Sequence, residues 1–297
     1  MIIVSLFGGL GNQLFQYATG KAVAKRLEVE LQLDVTHLID RTARENFTYR
    51  NYELGVFQIK DKIATVNEAR RYVPNFWACS EFTKKLFQLK RIFNGRFLYS
   101  EKKKFCFEDR ILSVKDNSYL YGYFQSPEYF EHCRAELLND LQLRTSIDEQ
   151  NSKWIDKIKK ENSVSIHVRR GDYLKNNPFQ VLDVENYYRS AIQEICEKVN
   201  NPVFYIFTND YHWAQEHFSE LENKIIVNHN KDDKSYLDMV LMSNCHHNII
   251  ANSSFSWWGA WLNKHTDKIV IAPKNWFKED SYLQNTYDLL PLSWIKI

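Results

Sequence analysis

The chain carries no excess of either charge: 39 Lys and Arg stand against 37 Asp and Glu in 297 residues, a net charge of +2. That balance excludes a global pull toward nucleic acid, so an anionic ligand must be met by a local site. Cysteine is scarce. Cys79, Cys106, Cys133, Cys196 and Cys245 are odd in number and never spaced C-x-x-C, which excludes a disulfide framework and a zinc ribbon and points to a reducing compartment. Long apolar runs are missing too. The opening MIIVSLFGGLGNQ lacks a basic lead and is too short in its apolar part for a signal peptide or a membrane span, so a cytoplasmic location is expected. No D-x-D occurs, Asp183-Val184-Glu185 being the nearest approach, and no G-K-[ST] follows a glycine loop.

What is present is aromatic and regularly patterned. Phe, Trp and Tyr make up 15% of the chain, which suits sugar or base stacking and a packed core equally. The length predicts two domains. Residues 1 to 35 read as strand, glycine loop, long helix and strand, the start of an α/β unit. Residues 45 to 125 parse poorly beyond a strand at YLYGYFQ, and helices are expected from Pro127 to Asp140 and from Ile147 to Lys160. KKENS is the expected linker. Past it, SVSIHVRR, VFYIFTND, KIIVN, HNIIAN and KIVIAP alternate with helical stretches, the pattern of a parallel doubly wound sheet. The expected organisation is thus residues 1–160, carrying the glycine loop, and residues 161–297. Residues 81 to 104 hold eight Lys/Arg and two Glu, with Phe82, Leu86, Leu89 and Phe93 at helical spacing. A solvated amphipathic helix accounts for this; contact with a membrane surface or an anionic lipid-linked acceptor is the other reading.

Three junctions carry the candidate chemistry. Gly8, Gly9 and Gly11 lie between a strand and a helix, where backbone N–H groups can hold phosphate, although Leu14 stands where a dinucleotide fingerprint needs its third glycine. In VSIHVRRGDY, strand alternation turns Val164, Ile166 and Val168 to one face and His167 and Arg169 to the other. An arginine fork at a strand end suits a diphosphate, while a surface Arg–Asp pair is the plain alternative. Asn252, Ser253 and Ser254 occupy another strand-to-helix junction fit for phosphate, or Ser254 merely caps the helix. Asp238 is the sole charge in an apolar run. It either completes a capping box with Ser235 or accepts from the N1–H and N2–H₂ of guanine. Trp257 and Trp261 are one turn apart and read as core, and His246 and His247 face opposite ways, against a shared metal. Without D-x-D, a leaving diphosphate would be neutralised by arginine and helix termini rather than by a divalent ion.

In order and spacing, GGLGNQLFQYA, HVRRGDY, FTND and NSSFSWWGAWL resemble the bacterial α-1,2-fucosyltransferases of glycosyltransferase family 11, and together they span nearly the whole chain. The H-x-R-R-x-D core is also similar to that of α-1,6- and protein O-fucosyltransferases. The resemblance implies a GT-B-like α/β fold, two Rossmann-like doubly wound domains facing a cleft, with the second domain binding GDP-fucose and the first on the acceptor side. It implies that the loop from Gly8 to Asn12 and Arg169 hold the β-phosphate, that His167 and Asp238 recognise guanine, and that Ser253 and Ser254 contact phosphate. The implied reaction is inverting transfer of L-fucose to the 2-hydroxyl of a terminal galactose on an oligosaccharide, lipid-linked or not, in surface glycan or O-antigen synthesis, without a metal cofactor or nucleic acid. One departure stands: LKNNPFQ lacks the glutamate that some relatives place after the core, which leaves Asp172, Asp183 and Glu185 as candidate bases, Asp172 alternatively orienting Arg169 or Arg170. Another nucleotide-sugar donor, or a non-catalytic glycan-binding module built on the tryptophans, are the competing readings.

Overall fold

A computed structural model describes residues 1–42, 49–73, 91–174, 179, 181–278 and 286–297, leaving aside the side chain of Asp172. The chain divides into two compact units, Met1–Thr145 with Tyr287–Leu289 and Ser146–Thr286 with Leu290–Ile297. The division falls at residue 145, ahead of the boundary expected near 160. The reason is the helix Glu149–Ile158, which packs on the helix Tyr236–Asn244 of the second unit and joins it through Asn151.

The first unit is a five-stranded parallel sheet of β1 (Ile2–Ser5), β2 (Leu31–Asp34), β3 (Lys62–Ile63), β4 (Phe97–Ser100) and β5 (Ser118–Tyr121), in the order β3-β2-β1-β5-β4. Every residue of β1 and β2 is buried, as expected of strands covered on both faces. The helix Leu10–Leu27 returns the chain from β1 to β2 and ends on Glu28 in the left-handed region (φ 55°), with Lys25 and Arg26 against its negative end. The amphipathic helix expected over 81–104 does not run that far. Residues 81–90 lie outside the described set, and Gly95 (φ 63°) closes the helical turn before Phe97–Ser100 enters the sheet as β4. Gly95 N–H donates to the Ile92 carbonyl and Arg96 N–H to the Arg91 carbonyl, the paired hydrogen bonds of a Schellman end, so charge pattern gave way to a glycine stop. The stretch from Pro127 is two 3₁₀ turns followed by the helix Arg134–Asp140 rather than one helix.

The second unit is a six-stranded parallel sheet: β6 (Ser163–Val168), β7 (Val203–Thr208), β8 (Lys224–Val227), β9 (His247–Ile249), β10 (Val270–Ala272) and β11 (Ile295–Lys296), ordered β11-β10-β9-β6-β7-β8. The chain starts at the central β6, fills one side with β7 and β8, then crosses to β9, β10 and β11. The winding therefore reverses between β6 and β9, the point at which open α/β sheets bind ligands beyond the carboxyl ends of their strands. Val164, Ile166 and Val168 pack with Ala191 and Ile195 of the helix Arg189–Lys198, as their alternation requires. Both units are thus doubly wound α/β, the class expected. Among the described residues no helix is long and apolar enough to cross a membrane. Cys106, Cys133, Cys196 and Cys245 are free thiols, and Cys79 lies outside the described residues.

Candidate active site

Register sets what meets at the switch point. Ile166 of β6 pairs with Ile249 of β9, and Val168 pairs with Thr208 of β7. Three residues past Ile166 and Ile249, Arg169 and Asn252 leave the sheet at one level, and Asn209 leaves β7 beside Arg169. The helix Ser254–Leu262 begins here, capped by Ser253, whose Oγ accepts from Phe255 N–H at 3.4 Å, and it has no acid in its first turn. A helix N-terminus with no acidic residue in its own first turn therefore stands beside the arginine loop. Of the residues expected to bind donor, His167, Arg169, Asn252, Ser253 and Ser254 are brought together by this one junction.

His167 is 6% exposed; its ring lies 5.8 Å from that of Phe255, and its Nδ1 is buried with no hydrogen-bond partner among the described residues. Burial first, and the positive Arg169 second, push its pKa down to about 3, so the imidazole is neutral across the working range. A neutral ring with an orphaned nitrogen is a group prepared for a polar ligand atom rather than for an ion pair. Its backbone carbonyl is held by Tyr188 OH at 2.9 Å.

The two arginines have different surroundings. Arg170 lies over the Trp213 ring, its Cζ 4.1 Å from the centroid, and its Nε reaches Asp210 at 3.4 Å. Arg169 sits 5.9 Å from the ring of Tyr173, whose hydroxyl donates to the Asn252 carbonyl at 2.9 Å. Tyr173 thereby ties the arginine loop to the NSSFS junction. Sequence reasoning passed over it, although a tyrosine two residues past an R-G pair was the available signal; the structure leaves it only 7% exposed.

Asp238 does not form the capping box. Ser235 makes no side-chain cap, and the Asp238 carboxylate accepts instead from Asn230 Nδ2 at 2.8 Å. Asn230 also bonds Asn151, which in turn meets His229 at 3.0 Å, and His229 stacks on Trp154 at 5.2 Å. Burial pushes the Asp238 pKa up to about 7, only partly opposed by the Asn230 donor, leaving a carboxylate short of partners.

In the first unit the glycine loop is a tight turn at the start of the helix Leu10–Leu27. Gly8 has φ +77°, and a Cβ there would come within 2.5 Å of Asn12 Nδ2. Gly9 is the helix N-cap with ordinary dihedrals, and among the described residues a Cβ on it would meet only Arg50 Nε, at 4.0 Å. Gly11 is buried in the first turn, and Asn12 Oδ1 accepts from Gln125 Nε2 at 2.7 Å, so Asn12 is engaged in bracing the loop. Two buried glutamines missed in the sequence complete the brace: Gln13 donates to the carbonyls of Gly8 and Asn51, and Gln16 accepts from Phe7 N–H.

The carboxylates weighed as bases are otherwise employed where they are described. Asp183 caps a π-helical turn by accepting from Asn186 N–H at 2.6 Å, and Glu185 pairs with Arg189 at 2.7 Å. The Asp172 side chain lies outside the described residues. Trp257, Trp258 and Trp261 are 0, 0 and 2% exposed, Trp257 stacking on Trp261 and both meeting Trp258 edge to face, which removes the platform on which a glycan-binding module would rest.

Comparison with known proteins assigns the chain to a family. The family model described as Glycosyl transferase family 11 matches residues 1–297. The O-antigen biosynthesis glycosyltransferase WbnK of Escherichia coli is 33% identical, over 98% of this chain and 99% of that protein. An alpha-1,2-colitosyltransferase of Escherichia coli is 33% identical over 100% and 99%. The galactoside 2-alpha-L-fucosyltransferase SEC1 of Bos taurus is 26% identical over 48% of this chain and 41% of that protein. Matched from end to end by the family model and by relatives of its own length, the chain belongs to glycosyl transferase family 11.

Proposed function

We propose that the chain transfers L-fucose from GDP-β-L-fucose to the 2-hydroxyl of a terminal galactose, with inversion to an α-1,2 linkage, in the assembly of a surface glycan such as an O-antigen. The observation that carries this reading is the junction of Arg169, neutral His167 and the Ser254 helix start at the switch point of the second sheet. In the reaction the bond from fucose C1 to the β-phosphate oxygen breaks, the galactose O2 bonds C1 from the opposite face, and the O2 proton passes to a base. Charge grows on the departing GDP. A guanidinium fork and a helix end already oriented toward it stabilise the transition state more than the ground state. Asp238, desolvated and held at one oxygen by Asn230, fits the paired donors of guanine. The second unit is thus the proposed donor side, and the glycine loop of the first a second anion cradle.

A colitosyl donor is the reading favoured by the full-length relative named for that sugar. Initial rates of GDP release with fucosyl and colitosyl donors, across a set of galactosides, separate the two. Preference for GDP-fucose is expected; a preference of tenfold or more for colitose would replace the donor while leaving the site intact.

A further inference from the structure

The FTND segment has no part in the chemistry just described, yet it grips the loop that does. Val168 pairs with Thr208, so Asn209 follows β7 at the level where Arg169 follows β6. The Asn209 Oδ1 accepts from Arg170 N–H at 3.0 Å and lies 3.4 Å from Gly171 N. On the other side of the same peptides, the Arg170 carbonyl accepts from Tyr173 N–H at 2.8 Å and Leu174 N–H at 3.1 Å. Arg169 is therefore bounded before by the β6–β7 ladder and after by an anchored Arg170 N–H. Gly171 keeps the anchor close: a Cβ there would stand 2.7 Å from Asn209 Nδ2, too near for any real side chain.

We propose that Asn209 is a positioning residue for Arg169, a side-chain acceptor that fixes the direction in which the arginine leaves the sheet and so aims its guanidinium. Gly171 is the matching half of this latch. The proposal rests on Arg169 as the leaving-group residue. The residue type follows from the geometry: the acceptor must be short and planar to reach consecutive N–H groups, which alanine cannot supply and aspartate can. Misplacing a catalytic group by about 1 Å is worth up to ~10² in rate, so losing the latch should tell in turnover before it tells in stability.

The test compares Asn209→Ala, Asn209→Asp, Gly171→Ala and the double variant Asn209→Ala/Gly171→Ala in the full chain, with Arg169→Ala in parallel, by GDP-release kinetics with GDP-fucose and by thermal melting. Asn209→Ala should lower kcat by about tenfold or more with the donor KM within about threefold, and Asn209→Asp should recover most of the loss. Gly171→Ala should match Asn209→Ala, and the double variant should be no worse than either, because the clash and the anchor are one interaction. A native kcat in Asn209→Ala beside a dead Arg169→Ala overturns the latch and spares the leaving-group reading. Near-native turnover of Arg169→Ala overturns both. Should Asn209→Ala fail to fold, Asn209→Asp decides: folded and as slow as the loss of Arg169, it overturns the latch; folded and near native, it supports it.

Discussion

At position 169 the side chain is valued for shape as much as charge. Arg169→Ala should cut turnover by ~10² to 10³, the usual worth of a donor at developing charge. Lysine should restore little, since an ammonium offers a point charge without the fork. Steady-state rates on the two variants check this, and near-native activity in Arg169→Lys would move the phosphate site elsewhere. Asp238 makes a prediction with two signs. Its folded pKa, about 7, lies above the ordinary aspartate value of 3.8, so between these pH values the folded chain holds more protons than the unfolded one, and stability from this group falls as pH rises. Asp238→Asn should therefore melt at or above the native temperature at pH 8, with Asn230 still bonded, while binding GDP far more weakly. Native GDP affinity should itself fall about tenfold per pH unit below about 7 if the guanine contact needs the carboxylate, and that slope should vanish in the variant. Calorimetric titration at pH 6 and 8 gives both answers; unchanged affinity would return Asp238 to a purely structural role.

Elements explain which glycines matter and why. Gly8 is required twice over, by its positive φ and by the Asn12 amide where a Cβ would be, so Gly8→Ala should destabilise the first unit by about 1 to 3 kcal/mol. Gly9 has neither constraint. Gly9→Ala should melt like the native chain, and if turnover nonetheless drops, the space in front of Gly9 belongs to substrate. Melting curves set beside rates separate backbone need from ligand need at adjacent residues, and equal stability loss in both would make the loop an ordinary tight turn. The element scale is also where sequence periodicity misled: apolar spacing and positive charge over 81–104 read as one helix, but Gly95 ends the turn and β4 follows. Only pairing with β5 distinguishes that short strand from a helical continuation, and pairing is not a property of the segment.

Across the whole molecule, the candidate anion-holding groups are Arg169, the Ser254 helix start and the glycine loop, and we expect the diphosphate to leave without a divalent ion. Turnover should survive exhaustive chelation and gel filtration. Loss of activity restored only by Mg²⁺ or Mn²⁺ would overturn the arginine mechanism and send attention first to Asp183 and Glu185. Much of this was written in the sequence. Alternating strands and helices gave the doubly wound second unit and the α/β opening of the first, because period-2 and period-3.6 patterns are local consequences of burying one face, while a second doubly wound unit was implied only by the family resemblance. The same alternation told which way His167 and Arg169 point. What only the tertiary structure decided was partnership: that β6 lies beside β9 and so seats NSSFS next to the arginine loop, that Arg170 lies over Trp213, that Asp238 answers to Asn230 rather than Ser235, and that Asn209 reaches across to Arg170. These contacts join residues up to about 80 positions apart. A sequence pattern specifies what each segment must bury, but strand order, which no segment carries alone, selects the neighbour it meets.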